Sequence, residues 1–472
     1  MRAASAASEA SEVSAHPAPG AAHSGSTSTQ PRRRAVILVA NPAAPYSRGL
    51  RLARSLAADG WDVEIAAVSG DGQPAEERDG GIVTRRYAPT GRWAALAAES
   101  PGPPSLARKV VVRSHRLLAR LIPPLRRFPA PTPDALRKIA FWPFPIRGWW
   151  TALRRDLPPA DLYHACGILT IGIAVELGRD ARRRGRAGRV VYDVIDVILD
   201  SNNYDRVPRP LLAFYKWKER RWVRGSDAVV TVNQPIATYL ATIWPLATPP
   251  TVLLNCQPRW SVPDPRPDVI RAATGIPAER SVVLFLGRLG RERGLEEAAE
   301  AVLLAGDSAL VMLGWGPWAD ELRARDAEPR FRGRHFTLPP VHPDDVPVWT
   351  ASADASIIAV PANSLNQRLS TPNKFWESLT AGTPMVLGRD LEVMRGILEA
   401  ADIGVVADPA DPADLARGLR RLLEASPTER EARRARAIEL ARTELNWETA
   451  VVPYLELAGR LVGSGGPRGD VP

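Results

Sequence analysis

The chain has 472 residues, 45% hydrophobic and 24% charged, a globular make-up too long for one ordinary core and suited to two domains plus tails. Lys and Arg number 62 against 52 Asp and Glu, and the net charge of +10 favours acidic partners: nucleic acid, phospholipid or phosphate-bearing substrates. Two cysteines, Cys166 and Cys256, exclude a disulfide framework and a Cys-based zinc site.

The first thirty or so residues lack the basic-then-apolar order of a signal peptide, and no apolar run reaches the roughly eighteen residues that a spanning helix needs. The expectation is a cytoplasmic protein, soluble or lying on the inner membrane face. Residues 1–34 read as a disordered tail ending in Arg32-Arg33-Arg34. AVILVA at 35–40 is a continuous apolar run of the kind a parallel strand covered on both faces shows. Leu50, Ala53, Leu56 and Ala57 then recur at helical spacing, Gly60 stops the helix, and WDVEIAAV alternates as a second strand.

An insert interrupts this alternation. Ser105 to Arg127 holds seven Lys or Arg residues and no acid, with Lys109, Arg113, Arg116 and Arg120 along one helical side and Val110, Leu117 and Leu121 on the other. FWPFPIRGWW follows at 141–150. Residues 105–150 read either as a surface for an anionic membrane or as a domain helix with a solvated basic face. The strand pattern resumes at DLYHA, GRVVYDVID and DAVVTVN, and a Pro-rich linker without periodicity lies at 258–267.

A second cycle opens at SVVLFLG, 281–287, followed by the helical GLEEAAEAVLLA and by the strands ALVMLGW, HFTLPPV, ASIIAV, TPMVLG and GVVADP. The fold expected is α/β: two Rossmann-like parallel sheets, one in residues 35–257 and one in 268–445, facing a cleft between the domains. A helix at 446–463 is expected to pack back on the first domain, leaving a tail at 464–472. Ligands in such folds bind where strands end and helices begin. There FLGRLGRERGLEE places Arg288 directly after a strand and Arg293 just before a helix, where two guanidinium groups would grip a diphosphate or merely pair with Glu292, Glu296 and Glu297. LGWGPWADEL places Gly314 and Gly316 where backbone approaches closely.

In order and spacing these pieces resemble the family 4 glycosyltransferases of the GT-B fold, retaining enzymes that take sugars from nucleotide donors. The matching segments run from about residue 35 to 460: DLYHACG, VVYDVIDV, SDAVVTVN, VLLNCQP, FLGRLGRERGLEEAAEAV, LGWGP, PNKFWESLTAGTPMV, GVVADPADPADLARGL and NWETAVVPYLELAGRL. The resemblance implies that Arg288 and Arg293 hold the donor diphosphate. It gives Glu377, second glutamate of the family's E-x7-E pattern, the ribose hydroxyls. Asn373 and Lys374 lie near the diphosphate in the PNK-x-x-E variant of polysaccharide-building members, with Thr371, Gly314 and Gly316 on the donor side and Leu338 to Val341 flanking the base. The acceptor side falls to Tyr46, Ser47 and Arg48, with Asp196 as a catalytic candidate; His164 either points into the cleft on that side or, the favoured reading, is a strand-end histidine satisfied by neighbouring backbone. The chain departs from the family at Leu369, where the first glutamate would stand, and at Ile195 and Cys166, where histidines are usual.

The resemblance further implies a metal-independent, anomer-retaining transfer without cofactor. The donor would be a nucleotide-diphosphate sugar; a glycan or lipid-linked acceptor of the cell envelope fits the basic, aromatic insert, with a soluble small-molecule acceptor as the alternative. Nucleic acid is not expected as a partner, since it would explain the charge but not the strand-end arginines. The rival readings are a GT-B epimerase or phosphorylase, and a degenerate protein that binds nucleotide sugar without turnover.

Overall fold

A computed structural model describes residues 32–43, 47–70, 72–90, 145–201, 204 and 207–463. Tyr46 and the basic 105–127 helix expected from the sequence lie outside these residues. Two sheets organise the described chain. The first has eight strands in the order β3-β4-β2-β1-β5-β6-β7-β8: β1 Arg34–Val39, β2 Asp62–Val68, β3 Glu76–Asp79, β4 Ile82–Tyr87, β5 Leu162–Cys166, β6 Arg189–Val194, β7 Ala228–Thr231 and β8 Thr251–Val252. All its neighbours pair parallel except the β3–β4 hairpin at one edge.

The second sheet has six strands in the order β11-β10-β9-β12-β13-β14, all parallel. They are β9 Ser281–Arg288, β10 Ser308–Trp315, β11 His335–Leu338, β12 Ala355–Ile358, β13 Met385–Gly388 and β14 Gly404–Ala407. This is the doubly wound order, and its direction reverses between β9 and β12, the place where a crevice opens at the strand ends.

The first sheet is covered on both faces, as its apolar strands require. Along β1, Val36 and Leu38 join the cluster that also holds Trp149, Tyr163, Ala174 and Tyr192. Ala35, Ile37 and Val39 point the other way, into a cluster with Leu52, Leu56, Trp447, Val451 and Tyr454, as the two-residue period of a strand dictates. The second cluster therefore contains side chains from the Trp447–Ala450 and Val452–Gly463 helices, which cross back from the end of the chain. The crossing lies beside the outgoing one: Trp447 N–H donates to Gln257 O at 2.9 Å, and Arg259 N–H donates to the Glu448 carboxylate at 3.1 Å.

Trp149 and Trp150, part of the aromatic run that the sequence offers to a membrane, are packed within the fold. Trp149 is fully buried and donates to Ala67 O, while Trp150 meets the edge of Trp222. WDVEIAAV does not alternate in burial; Val63 to Ala67 are all buried, Glu64 included. No helix among the described residues is long and apolar enough to cross a membrane.

Candidate active site

The loop after β9 carries Arg288 as the last strand residue and Arg293 at the end of a single 3-10 turn, Arg291–Arg293. Gly294 follows in the left-handed region at φ 68°, and a Cβ there would collide with Ala359 O. The glycine thus lets the start of the Leu295–Leu304 helix press against the backbone that leaves β12. Both arginines lie at the switch point of the second sheet. Arg288 is exposed and its Nε is 4.0 Å from Glu292 Oε1; Arg293 Nε is 3.6 Å from the same oxygen and makes no hydrogen bond. These are loose contacts of exposed or half-exposed groups, worth little to stability.

The Asn373–Thr380 helix sits across that loop. Phe375, Trp376 and Leu379 enter the core cluster built around Ile358, Met385 and Met394. Trp376 Nε1–H also donates to Thr371 O at 3.1 Å, fixing the turn ahead of the helix. Lys374 and Glu377, three positions apart, do not form the expected helical ion pair. Among the described residues, neither side chain makes a hydrogen bond or ion pair. The Lys374 ammonium rests 3.6 Å from the centre of the Phe285 ring. Burial, reinforced by the charge of Arg293 and opposed by Glu377, lowers the Lys374 pKa to about 7. Burial likewise raises Glu377 to about 7, opposed by the charges of Lys374 and Arg51. Thr371 adds a buried hydroxyl without a hydrogen-bond partner, and no side chain caps the helix N-terminus. Buried polar groups are normally paired, so the unpartnered Thr371 Oγ1 and Arg293 Nε beside Lys374 and the half-buried Glu377 form a concentration of unmet polar groups at the strand ends.

Asn373 is placed differently. Its Oδ1 accepts from Asn255 Nδ2 at 2.7 Å, and Asn255 Oδ1 accepts from Arg51 at 2.8 Å, so the amide oxygen belongs to a relay reaching the first domain. Gly314 and Gly316 make room for protein backbone: a Cβ on either would collide with Gly287 O or Leu289 O. Leu338 and Val341 are half-buried against the cluster of Ile270, Leu284 and Leu313 at the same end of the sheet.

From the first domain, Asp196 faces the cleft. Its Oδ1 accepts from Asn366 Nδ2 at 3.1 Å, and Asn366 Oδ1 accepts from Val197 N–H at 2.7 Å. Although Asp196 is solvent-accessible, surrounding protein raises its pKa, opposed by the Asn366 bond and by the charge of Arg293. Asn233 adds a second clasp, donating to Leu369 O at 2.7 Å. Leu369 itself, where the family pattern has a glutamate, packs into the first domain's cluster with Val194, Val197 and Ile236.

Arg48 and His164, expected on the acceptor side, are buried inside the first domain. The Arg48 guanidinium spans both oxygens of Asp193 at 2.8 and 3.0 Å and donates to Leu253 O. His164 Nε2 lies 3.2 Å from Asp193 Oδ2, while Tyr454 OH lies 2.9 Å from its Nδ1. Because a carboxylate can only accept, His164 Nε2 carries a proton in this network. Burial raises the Asp193 carboxyl, but Arg48 and His164 prevail and hold it at about 2. Cys166 lies close enough to join His164 and Asp193 as a metal-ligand set, yet both carboxylate oxygens already face a guanidinium and both ring nitrogens are bonded. The arrangement reads as an internal network. Ser47 begins the Ser47–Ala58 helix, half-buried. Asp193 and Tyr454 are the partners that the sequence did not single out.

Residues 268–442 match the family model described as Glycosyl transferases group 1. No curated protein matches the sequence. Among solved structures, sucrose-phosphate synthase (tll1590) from Thermosynechococcus elongatus is 15% identical with a TM-score of 0.63, over 92% of this chain and 100% of that one. The α,α-trehalose 6-phosphate synthase of Burkholderia multivorans is 14% identical with a TM-score of 0.59, over 93% and 99%. Anabaena Alr3699/HepE in complex with UDP-glucose is 14% identical with a TM-score of 0.58, over 91% and 99%. The two facing parallel sheets therefore form the GT-B fold of these glycosyltransferase structures, and the half carrying Arg288, Arg293, Lys374 and Glu377 matches the Glycosyl transferases group 1 model.

Proposed function

We propose that the protein is a glycosyltransferase that moves a sugar from a nucleotide-diphosphate donor to an acceptor hydroxyl with retention at the anomeric carbon, as the family 4 resemblance implies. The observation that carries this reading is the unpaired Lys374, Glu377 and Thr371 cluster beside Arg293 at the switch point of the second sheet. Arg288, Arg293 and Lys374 supply positive charge where a leaving diphosphate gains negative charge, without reorganising at the moment of reaction. Glu377 accepts the ribose hydroxyls. As the anomeric C–O bond to the diphosphate breaks, the acceptor oxygen bonds to that carbon on the same face and its proton passes to a phosphate oxygen of the leaving group. Asp196 orients the acceptor from across the cleft.

The bound molecule named for HepE, UDP-glucose, makes UDP-hexoses the first donors to try. A glycan or lipid-linked acceptor of the cell envelope, met in the cytoplasm, completes the proposal. The charge supplied by these side chains leads us to expect turnover without a divalent ion. The test is nucleotide release from a panel of nucleotide sugars, with cell extract as acceptor, in excess EDTA. Release that stops in EDTA and returns only with a divalent ion refutes metal independence; donor binding without release under either condition favours the inert reading that Leu369 suggests. Conversion of the donor in the absence of any acceptor favours an epimerase.

A further inference from the structure

The Arg209–Val223 helix of the first domain presents a face that none of the chemistry above uses. Phe214 and Trp217 are 45% and 52% exposed, one turn apart, with ring centres separated by 5.9 Å. Ile243, 37% exposed at the end of the Gln234–Ile243 helix, lines the same cavity as Trp217. Monomeric proteins rarely leave bulky apolar side chains clustered in water without a use. The exposed charges that this helix itself places around these rings are all positive. Lys218 Nζ lies 5.6 to 5.9 Å from the ring centres of Phe214, Trp217 and Trp222, and Arg221 lies 6.0 Å from that of Trp217. Arg209, Lys216, Arg220 and Arg224 are exposed on the same element or at its cap.

The acids nearby do not offset this. Glu219, the acid of this helix, is buried and accepts from Tyr192 OH at 2.7 Å. Asp200 is held by Lys216 and Tyr239, and Glu176 by Arg154. On one flank a cavity of about 540 Å³ lies between this helix and its neighbours, its apolar lining, which includes Trp150, Phe214 and Trp222, edged by Lys218 and by the Arg154–Glu176 pair.

We infer that this face docks on an anionic lipid surface, with Phe214, Trp217 and Ile243 entering the boundary between headgroups and acyl chains while Lys218, Arg220 and Arg221 meet lipid phosphates. Aromatic side chains with a polar edge settle at that boundary, and basic residues bury their stems there while keeping their heads in the charged layer. The absence of any exposed acid on this helix is what favours an anionic bilayer over a protein partner of mixed charge.

The test is co-sedimentation of the full-length chain, without nucleotide, with phosphatidylglycerol or phosphatidylcholine vesicles. Three variants are compared: Phe214→Ser with Trp217→Ser, Lys218→Glu with Arg221→Glu, and a deletion of residues 105–127. The expected result is binding to phosphatidylglycerol that weakens with salt and falls more than about tenfold in both double variants, at unchanged melting temperature. The proposal is overturned if the wild-type chain stays in the supernatant, or if both double variants bind as it does. Loss confined to the deletion assigns binding to residues 105–127 instead. A concentration-dependent dimer that the double variants dissolve assigns the face to a second copy of the chain. Because no donor is present, none of these outcomes bears on the transferase reading.

Discussion

Lys374→Met is the most searching perturbation of the site, because it removes one charge and keeps an apolar stem against Phe285. An ordinary lysine titrates near 10.5 and Lys374 near 7. That fall of about 3.5 on the pH scale, at about 1.4 kcal/mol for each unit, sets roughly 5 kcal/mol against the charged form in the empty site. The folded-state value lies below the unfolded one. Between about pH 7 and 10.5 the unfolded chain therefore holds more protons, so this lysine's destabilising contribution is full below 7 and vanishes by 10.5. The methionine variant should be more stable than wild type without nucleotide, by an upper bound of about 5 kcal/mol at pH 7 that relaxation of the site will reduce. The gain should shrink at pH 9.5. Donor binding should fall at the same time, since the variant cannot meet a diphosphate. The assay is a thermal melt at both pH values, with and without UDP. A variant less stable than wild type at pH 7, or one stabilised by UDP as much as wild type is, refutes the assignment of Lys374 as a ligand-facing cation.

Three further outcomes are expected. Arg293→Ala should lower kcat by about 10²- to 10³-fold with the circular dichroism spectrum unchanged, the loss typical of removing one donor to a developing anion. Glu377→Ala should raise the donor KM by about tenfold or more and abolish discrimination against donors lacking ribose hydroxyls, read from paired KM values. Asp193→Asn should destabilise by about 3 kcal/mol or more in urea unfolding, because it leaves Arg48 buried beside a neutral amide. In the wild type the Asp193 contribution, about 2 kcal/mol for a carboxyl moved from 3.8 to about 2, is present above pH 3.8 and lost as the pH falls towards 2.

The two sheets were legible because their strands are short apolar runs closed by Gly, Pro or Asn, as in AVILVA and SVVLFLG. The β3–β4 hairpin was not, since EERD is fully exposed and IVTRRY carries two arginines, which pair with Glu76 and Glu77 across the hairpin. Glu64 makes β2 look half-solvated, yet Tyr87, Arg34 and Arg85, drawn from the sequence on both sides, satisfy it indoors. Arg293, Lys374 and Glu377 lie near enough to feel one another's charge, and Arg288 ends the strand that leads into the Arg293 loop, at a strand end that local pattern reveals. Arg48 looked equally available from the sequence, while His164 read as either cleft-facing or structural. Their partners Asp193 and Tyr454 stand 145 and 290 residues away, beyond the reach of any local pattern.

The bond between His164 and Tyr454 also bears on the order in which the chain can fold during synthesis. The first domain begins near Arg34, but the cluster beneath its central strands is closed by Trp447, Val451, Tyr454 and Ala458. Until those residues leave the ribosome, one face of the first sheet lacks its cover, while the second domain already has all of its strands. The domain made first is thus completed last. A chain truncated at residue 445 would keep the residues of the donor half and yet expose Ile37, Leu162 and Val191 on the other.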